Sequence, residues 1–237
     1  MKFQLYSDLH LEFHHDSGAS FLKDLKVLAD TLVLAGDITI ARPWMLDLVF
    51  KSVSSKWKDV IYLAGNHEHY NVGIKMGYAS IKKALRAYPN IHFLNNGGAE
   101  IEGIKIFGGT GWYDAPKDER LKKKISDYAL IKDIEEVYGS WKEFQTKCEA
   151  FKPDLVISHH LPDERCVAAP YRGDPVNCFF VSGFDVESVS PKMWIFGHSH
   201  TPTDFMIGTT RMVCNAFGYP TETKRGFNDE LVLEVLK

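Results

Sequence analysis

Five short segments of the 237-residue chain bring together carboxylate, amide and imidazole groups: Asp8-Leu9-His10, Gly36-Asp37, Gly65-Asn66-His67-Glu68, Ser158-His159-His160 and Gly197-His198-Ser199-His200. Oxygen and nitrogen donors of this kind bind borderline or hard cations such as manganese, iron or zinc, and suit magnesium less well. No thiolate belongs to the set, which excludes a structural zinc site of the cysteine type. Seven donors exceed what one tetrahedral ion takes; they suit two ions that share a carboxylate. Each segment alone is weak evidence, because an aspartate at a strand end more often caps a helix or turn, and turns also favour Gly and Asn. The inference rests on the ordered set.

Each segment follows a short apolar run. Residues 3–6, 31–35, 60–64, 155–158 and 193–196 read as strands, and 21–29, 44–57 and 74–87 as amphipathic crossover helices between the first three. That alternation predicts an α/β fold, in which ligands gather at the carboxyl ends of the strands. The i, i+2 spacing of Asp8/His10 and His198/His200 sends both side chains of a pair the same way if strand geometry persists beyond the apolar run. Glycines 36, 65 and 197 suit tight exits with backbone close to a buried ion. Further along, 101–108 reads as a hairpin turning at Glu102-Gly103, 133–151 as a helix, 205–215 as a hairpin turning at Gly208-Thr209, and 231–236 as a final strand. No repeat or linker divides the chain, so a single domain over 1–237 is expected.

Composition narrows the class. With 45% apolar and 13% aromatic residues the chain can bury a sizeable core, which excludes disordered and disulfide-dependent miniature classes. Its 28 basic and 31 acidic residues leave a net charge of −3, unlike a surface built to coat a polyanion. Lys122-Lys123-Lys124, beside Asp118 and Glu119, reads as a solvated face, so nucleic acid is not an expected partner. The four cysteines form no Cys-x-x-Cys pair and read as buried, reduced thiols. No membrane span is expected, and a cytoplasmic location is the expectation for a start interrupted by polar and charged residues.

Taken in order, Asp-x-His, Gly-Asp, Gly-Asn-His-Glu, His-His and Gly-His-x-His resemble the signature of the calcineurin-like metallophosphoesterase superfamily, over Asp8 to His200. Asn215-Ala216-Phe217-Gly218-Tyr219 resembles the Asn-Pro-Arg-Gly-Tyr segment of a bacterial single-domain branch, without its arginine. The resemblance implies a four-layer α-β-β-α sandwich with two mixed β-sheets and a binuclear metal site at the strand C-terminal ends. It implies that Asp8, His10 and His200 hold one divalent ion, that Asn66, His159 and His198 hold the other, and that Asp37 bridges them. His67 would be the general acid or transition-state stabiliser, and His160 would sit behind a ligand or face substrate. The implied activity is hydrolysis of a small phosphate monoester or diester by in-line attack of a metal-bridging hydroxide. Two other readings are a catalytically weak metal-binding interaction scaffold and a nuclease acting on DNA ends. A protein Ser/Thr phosphatase is disfavoured, because Gly36-Asp37 continues as Ile38-Thr39-Ile40-Ala41-Arg42 instead of that branch's Val-Asp-Arg-Gly. His14, His15, His69 and His92 read as rim or structural histidines.

Overall fold

The computed structural model describes residues 1–222 and 226–237. Its N-terminal half holds β1 (Lys2–Tyr6), α1 (Ala19–Asp24), β2 (Thr31–Ala35), α2 (Pro43–Ser54), β3 (Asp59–Leu63), α3 (Ile74–Ala84) and β4 (Ile91–Phe93). These four strands run parallel in sequence order. The last strand, β11 (Val232–Glu234), pairs antiparallel outside β1. The second sheet contains β5 (Gly97–Ile101), β6 (Ile104–Gly109), β7 (Leu155–Ser158), β8 (Met193–Ile195), β9 (Thr203–Ile207) and β10 (Thr210–Cys214), in the order β5-β6-β7-β8-β10-β9. Three short or single helices, α4 (Asp127–Leu130), α5 (Ser140–Phe151) and α6 (Val186–Val189), complete the fold.

Period-two alternation explains the layers. Phe3, Leu5, Val33, Ala35, Ile61 and Leu63 face Ile106, Leu155, Ile157 and Ile195 across the space between the sheets. The intervening Leu32, Leu34, Val60 and Tyr62 turn outward onto Leu46, Val49 and Phe50 of α2 and Ile81 of α3. On the other sheet Val156, Trp194 and Met212 face outward to Phe144 and Cys148 of α5. The result is the expected four-layer sandwich with two mixed sheets.

Two helices differ from expectation for visible reasons. Helix α1 stops at Asp24, where 21–29 was expected, because the buried Gln4 side chain holds the next segment extended. Its Nε2 donates to the Lys26 carbonyl at 2.9 Å and its Oε1 accepts from the Leu28 amide at 2.8 Å. The single helix expected over 133–151 is divided into a 3-10 turn, Ile134–Val137, and α5, because Gly139 takes a left-handed φ of 79° between them. Asp133 caps α3 instead, accepting from the amides of Ile74 and Lys75 at 2.6 and 3.2 Å. All four cysteines are free thiols, but Cys178 is exposed and differs from the buried reading. No helix among the described residues is long and apolar enough to cross a membrane.

Candidate metal centre

The carboxyl ends of β1, β2, β3, β7 and β8 converge where the two sheets meet, and the loops that leave them are tied to one another. The Asp8 amide donates to the Gly36 carbonyl, the His10 amide to the Asp37 carbonyl, and the Gly197 amide to the His159 carbonyl, at 3.0, 3.0 and 2.9 Å. Strand geometry does not persist into these loops, contrary to the simple i, i+2 expectation. Asp8, His10, Asp37, His198 and His200 all have left-handed backbones, with φ between 45° and 65°. Asp and His tolerate this region better than β-branched residues, at a strain of about 1 kcal/mol or more each. Each pair reaches one locus through these turns and not through a pleat. Gly36 lets the loops close: a Cβ there would lie 2.5 Å from His159 Nδ1.

Three groups of clustered donors result among the described residues: His10, Glu12 and His67 form one, and the predicted ligands form the other two. Asp8, His10 and His200 offer atoms within 4.8 Å of one another, and so do Asp37, His159 and His198. His10 Nε2 and His200 Nε2 are 3.0 Å apart, and His200 Nε2 lies 3.6 Å from Asp8 Oδ1. Asn66 Oδ1 joins the second group, 3.2 Å from His159 Nε2. Asp37 Oδ2 lies between the groups, 3.9 Å from His10 Nε2 and 3.3 Å from His159 Nε2. The structure thus brings all seven predicted donors into one cluster.

A second layer of residues orients these donors, and most of it went unrecognised in the sequence. His159 donates Nδ1–H to the Ala35 carbonyl at 3.0 Å, and His200 donates Nδ1–H to Glu222 at 2.8 Å, so both present Nε2 inward. Asp127 accepts from Asn66 Nδ2 at 2.9 Å and from the Tyr70 hydroxyl at 2.7 Å, which turns the Asn66 oxygen toward the cluster. Glu12 accepts from His67 Nδ1 at 2.9 Å, and Tyr219 places its hydroxyl 3.2 Å from His67 Nε2. No motif flags Glu12 or Asp127. Tyr219 and Glu222 stand in the segment after Asn215, where only the contacts assign them a task.

The electrostatics fit a cation. Asp8 Oδ2 is buried with no hydrogen-bond partner among the described residues. Burial alone would lower the His159 imidazolium, yet Asp37 raises it to about 10, so this carboxylate draws positive charge even into the interior. Burial holds His10 and His198 low, with neighbouring imidazoles acting in the same direction on His198, and these rings keep a free lone pair for ligation. Burial opposes ionisation of Glu12 as well, but the nearby His10 ring, 3.7 Å away, and the hydrogen bond from His67 hold its carboxyl low. His67 shows the reverse balance, in which Asp37 and Glu12 outweigh burial and raise it.

His160 departs from the substrate-facing expectation. It is fully buried, its Nδ1 lies 3.2 Å from the Thr110 carbonyl, and its ring packs 4.4 Å from that of His198. Burial and His159 push it down to about 3, so it stands as a neutral ring behind His198. The two rings part after β7 through their own contacts: His159 Nδ1 meets the Ala35 carbonyl and His160 Nδ1 the Thr110 carbonyl, and only the first presents Nε2 to the cluster.

Glu68, beside His67, clamps the loops. Its carboxylate accepts from the amides of Asp37, Ile38 and Gly65 at 3.0, 2.9 and 2.7 Å and from the Tyr62 hydroxyl at 3.2 Å. Glu68→Ala would leave four buried donors unpaired. A stability loss of about 3–5 kcal/mol is expected. That corresponds to a melting temperature lower by about 10 °C in calorimetry, and a fall below about 3 °C would deny Glu68 this role.

A sequence model of the calcineurin-like phosphoesterase family matches residues 1–202. An uncharacterised protein of Acanthamoeba polyphaga mimivirus is 26% identical over 266 residues, covering 97% of this chain and 95% of its own. Among solved structures, a phosphopantetheinyl hydrolase from Mycobacterium tuberculosis shares the fold with a TM-score of 0.68 at 16% identity, over 92% of this chain and 90% of that one. A Thermus thermophilus structure does so with a TM-score of 0.62 at 13% identity, over 91% and 88%. The family match covers every donor segment from β1 to the Gly-His-Ser-His turn, and the chain belongs to the calcineurin-like phosphoesterase family of metal-dependent hydrolases.

Proposed function

We propose that the protein hydrolyses a small phosphate monoester or diester with two divalent cations, of manganese, iron or zinc, held by the seven clustered donors. The position of Asp37 Oδ2 between the two donor groups, 3.9 Å from His10 Nε2 and 3.3 Å from His159 Nε2, carries this reading. Asp8, His10 and His200 would hold one cation; Asn66, His159 and His198 the other; Asp37 both. Bound there, the cations supply charge stabilisation for the phosphoryl oxygens and a lowered water pKa.

The chain's own residues do the rest. Glu12 fixes His67 Nδ1 and favours the imidazolium, so that Nε2 can donate a proton to a departing alkoxide in the cleft. Tyr219, 3.2 Å from that Nε2, holds the atom aimed at the place where the ester oxygen leaves. Glu222 and Asp127 keep His200 and Asn66 in register, since a donor displaced by an ångström loses much of its effect. No serine or cysteine nucleophile is required.

The test pairs turnover with stability. p-Nitrophenyl phosphate and bis-p-nitrophenyl phosphate are expected to be hydrolysed in Mn²⁺, Fe²⁺ or Zn²⁺ and not in excess chelator; equal rates with chelator would exclude the reading. A cation that binds only the folded chain adds about 4 kcal/mol at 1,000 times its dissociation constant. Mn²⁺ should therefore raise the melting temperature by about 10 °C.

A further inference from the structure

We infer that the alcohol part of the ester carries an extended apolar arm, which the wall facing the metal centre receives. This rests on the phosphoesterase reading and names its substrate class. A cavity of about 480 Å³ opens at Asn66, His67, His198 and His200 and runs on beyond them. That volume lies in the range of sites for ligands far larger than a phosphate group. Its far wall comes from the segment after β6 and from the long connection between β7 and α6. There Ile125, Leu161, Val167, Ala168, Val176 and Phe180 supply aliphatic and aromatic surface.

Two polar side chains of that wall are already engaged. Asp174 Oδ1 accepts from the Val176 amide at 3.0 Å, and Asn177 Nδ2 donates to the Tyr171 carbonyl at 2.8 Å. Lys124 is the one Lys or Arg among the described lining residues, against the carboxylates of Asp37, Asp127, Asp174 and Glu222. A polyphosphate would bring further negative charge toward Asp174 and Glu222, with Lys124 alone to offset it among the described lining residues. A chain of methylenes loses nothing there and gains by leaving water. The wall is also preformed. The Leu161 amide donates to the Phe180 carbonyl at 3.0 Å and the Ser182 amide to the Leu161 carbonyl at 2.8 Å, which fastens both ends of the connection. Little ordering is then left for the ligand to impose.

The experiment measures kcat/KM of the metal-loaded enzyme on n-alkyl phosphates from methyl to octyl, with AMP as a polar comparison. The same protein is titrated calorimetrically with n-alkylphosphonates, which cannot be hydrolysed. A rise of about threefold per added methylene is expected over the first several carbons, with a parallel tightening of the phosphonates. Ala168→Glu should compress the octyl-to-methyl ratio at least about tenfold, and Val176→Ser should compress it less, as an independent check on the same wall. A flat series with methyl phosphate still hydrolysed, or AMP preferred over octyl phosphate, overturns the apolar arm and leaves the phosphoesterase reading intact. Phosphonates that tighten with length, without turnover of any ester, support the arm and overturn the hydrolytic reading.

Discussion

Asn in place of Asp37 is expected to lower phosphoester hydrolysis by about 1,000-fold or more, and to leave a protein that no longer retains two cations after dialysis. The size follows from position. Losing an outer partner of a metal ligand costs about 10–100-fold. Asp37 serves both donor groups directly, 3.9 Å from His10 Nε2 on one side and 3.3 Å from His159 Nε2 on the other. The amide keeps the shape but presents either a neutral oxygen or an N–H donor where, on the proposed reading, two cations would need a shared anion. Asp37 Oδ1 also accepts from the His67 amide at 2.8 Å, a contact that an asparagine oxygen can keep, so the fold should survive. Metal content by elemental analysis, read beside a native circular dichroism spectrum, separates ligand loss from unfolding. Two retained ions with turnover within tenfold of the parent would remove Asp37 from the shared position.

What could be read from the sequence follows the physics of each feature. Apolar runs bounded by Gly, Asp and His mark β1, β2, β3, β7 and β8 to within about two residues, because a strand buried on both faces needs continuous apolar character. The donor segments are visible for the same reason: each lies where such a run stops. The layers between and outside the sheets follow from period two. What the sequence hides is set by single long-range contacts. Gln4 stops α1 through two hydrogen bonds to residues more than twenty positions away. Asp127 reaches Asn66 across sixty-one positions from a stretch without periodicity or motif. The backbone of the donors is hidden too, since a left-handed φ at Asp8 or His198 is no property of Asp or His alone.

That backbone strain bears on function. Five of the seven donors sit in left-handed conformations, each costing about 1 kcal/mol or more. Glu68 and the loop-to-loop amide bonds hold them there. A flexible cluster would have to order its ligands on each binding event, whereas these loops are fastened by the sheets and by Glu68, independently of the donor side chains. His160 is held in the same way, its ring Nδ1 meeting the Thr110 carbonyl at 3.2 Å behind His198.

His67→Ala is expected to separate proton donation from metal binding. His67 is not among the seven donors, and its side chain is held by Glu12 at 2.9 Å and meets Tyr219 at 3.2 Å. Metal content and the Mn²⁺-dependent rise in melting temperature should therefore persist. Activity should fall according to what the leaving group needs. General acid catalysis is worth about 100–10,000-fold when the departing oxygen is a strong base. An alkyl phosphate leaves as a basic alkoxide and should lose about 1,000-fold in kcat, while p-nitrophenolate leaves as a stable anion and should lose only about tenfold. Equal losses on the two esters would give His67 a different task, stabilising charge on a phosphoryl oxygen that does not depart. Glu12→Gln offers a graded version. Its neutral amide can still accept from Nδ1 but no longer favours the imidazolium, so the alkyl ester should again be hit harder than the nitrophenyl ester, though less than in His67→Ala.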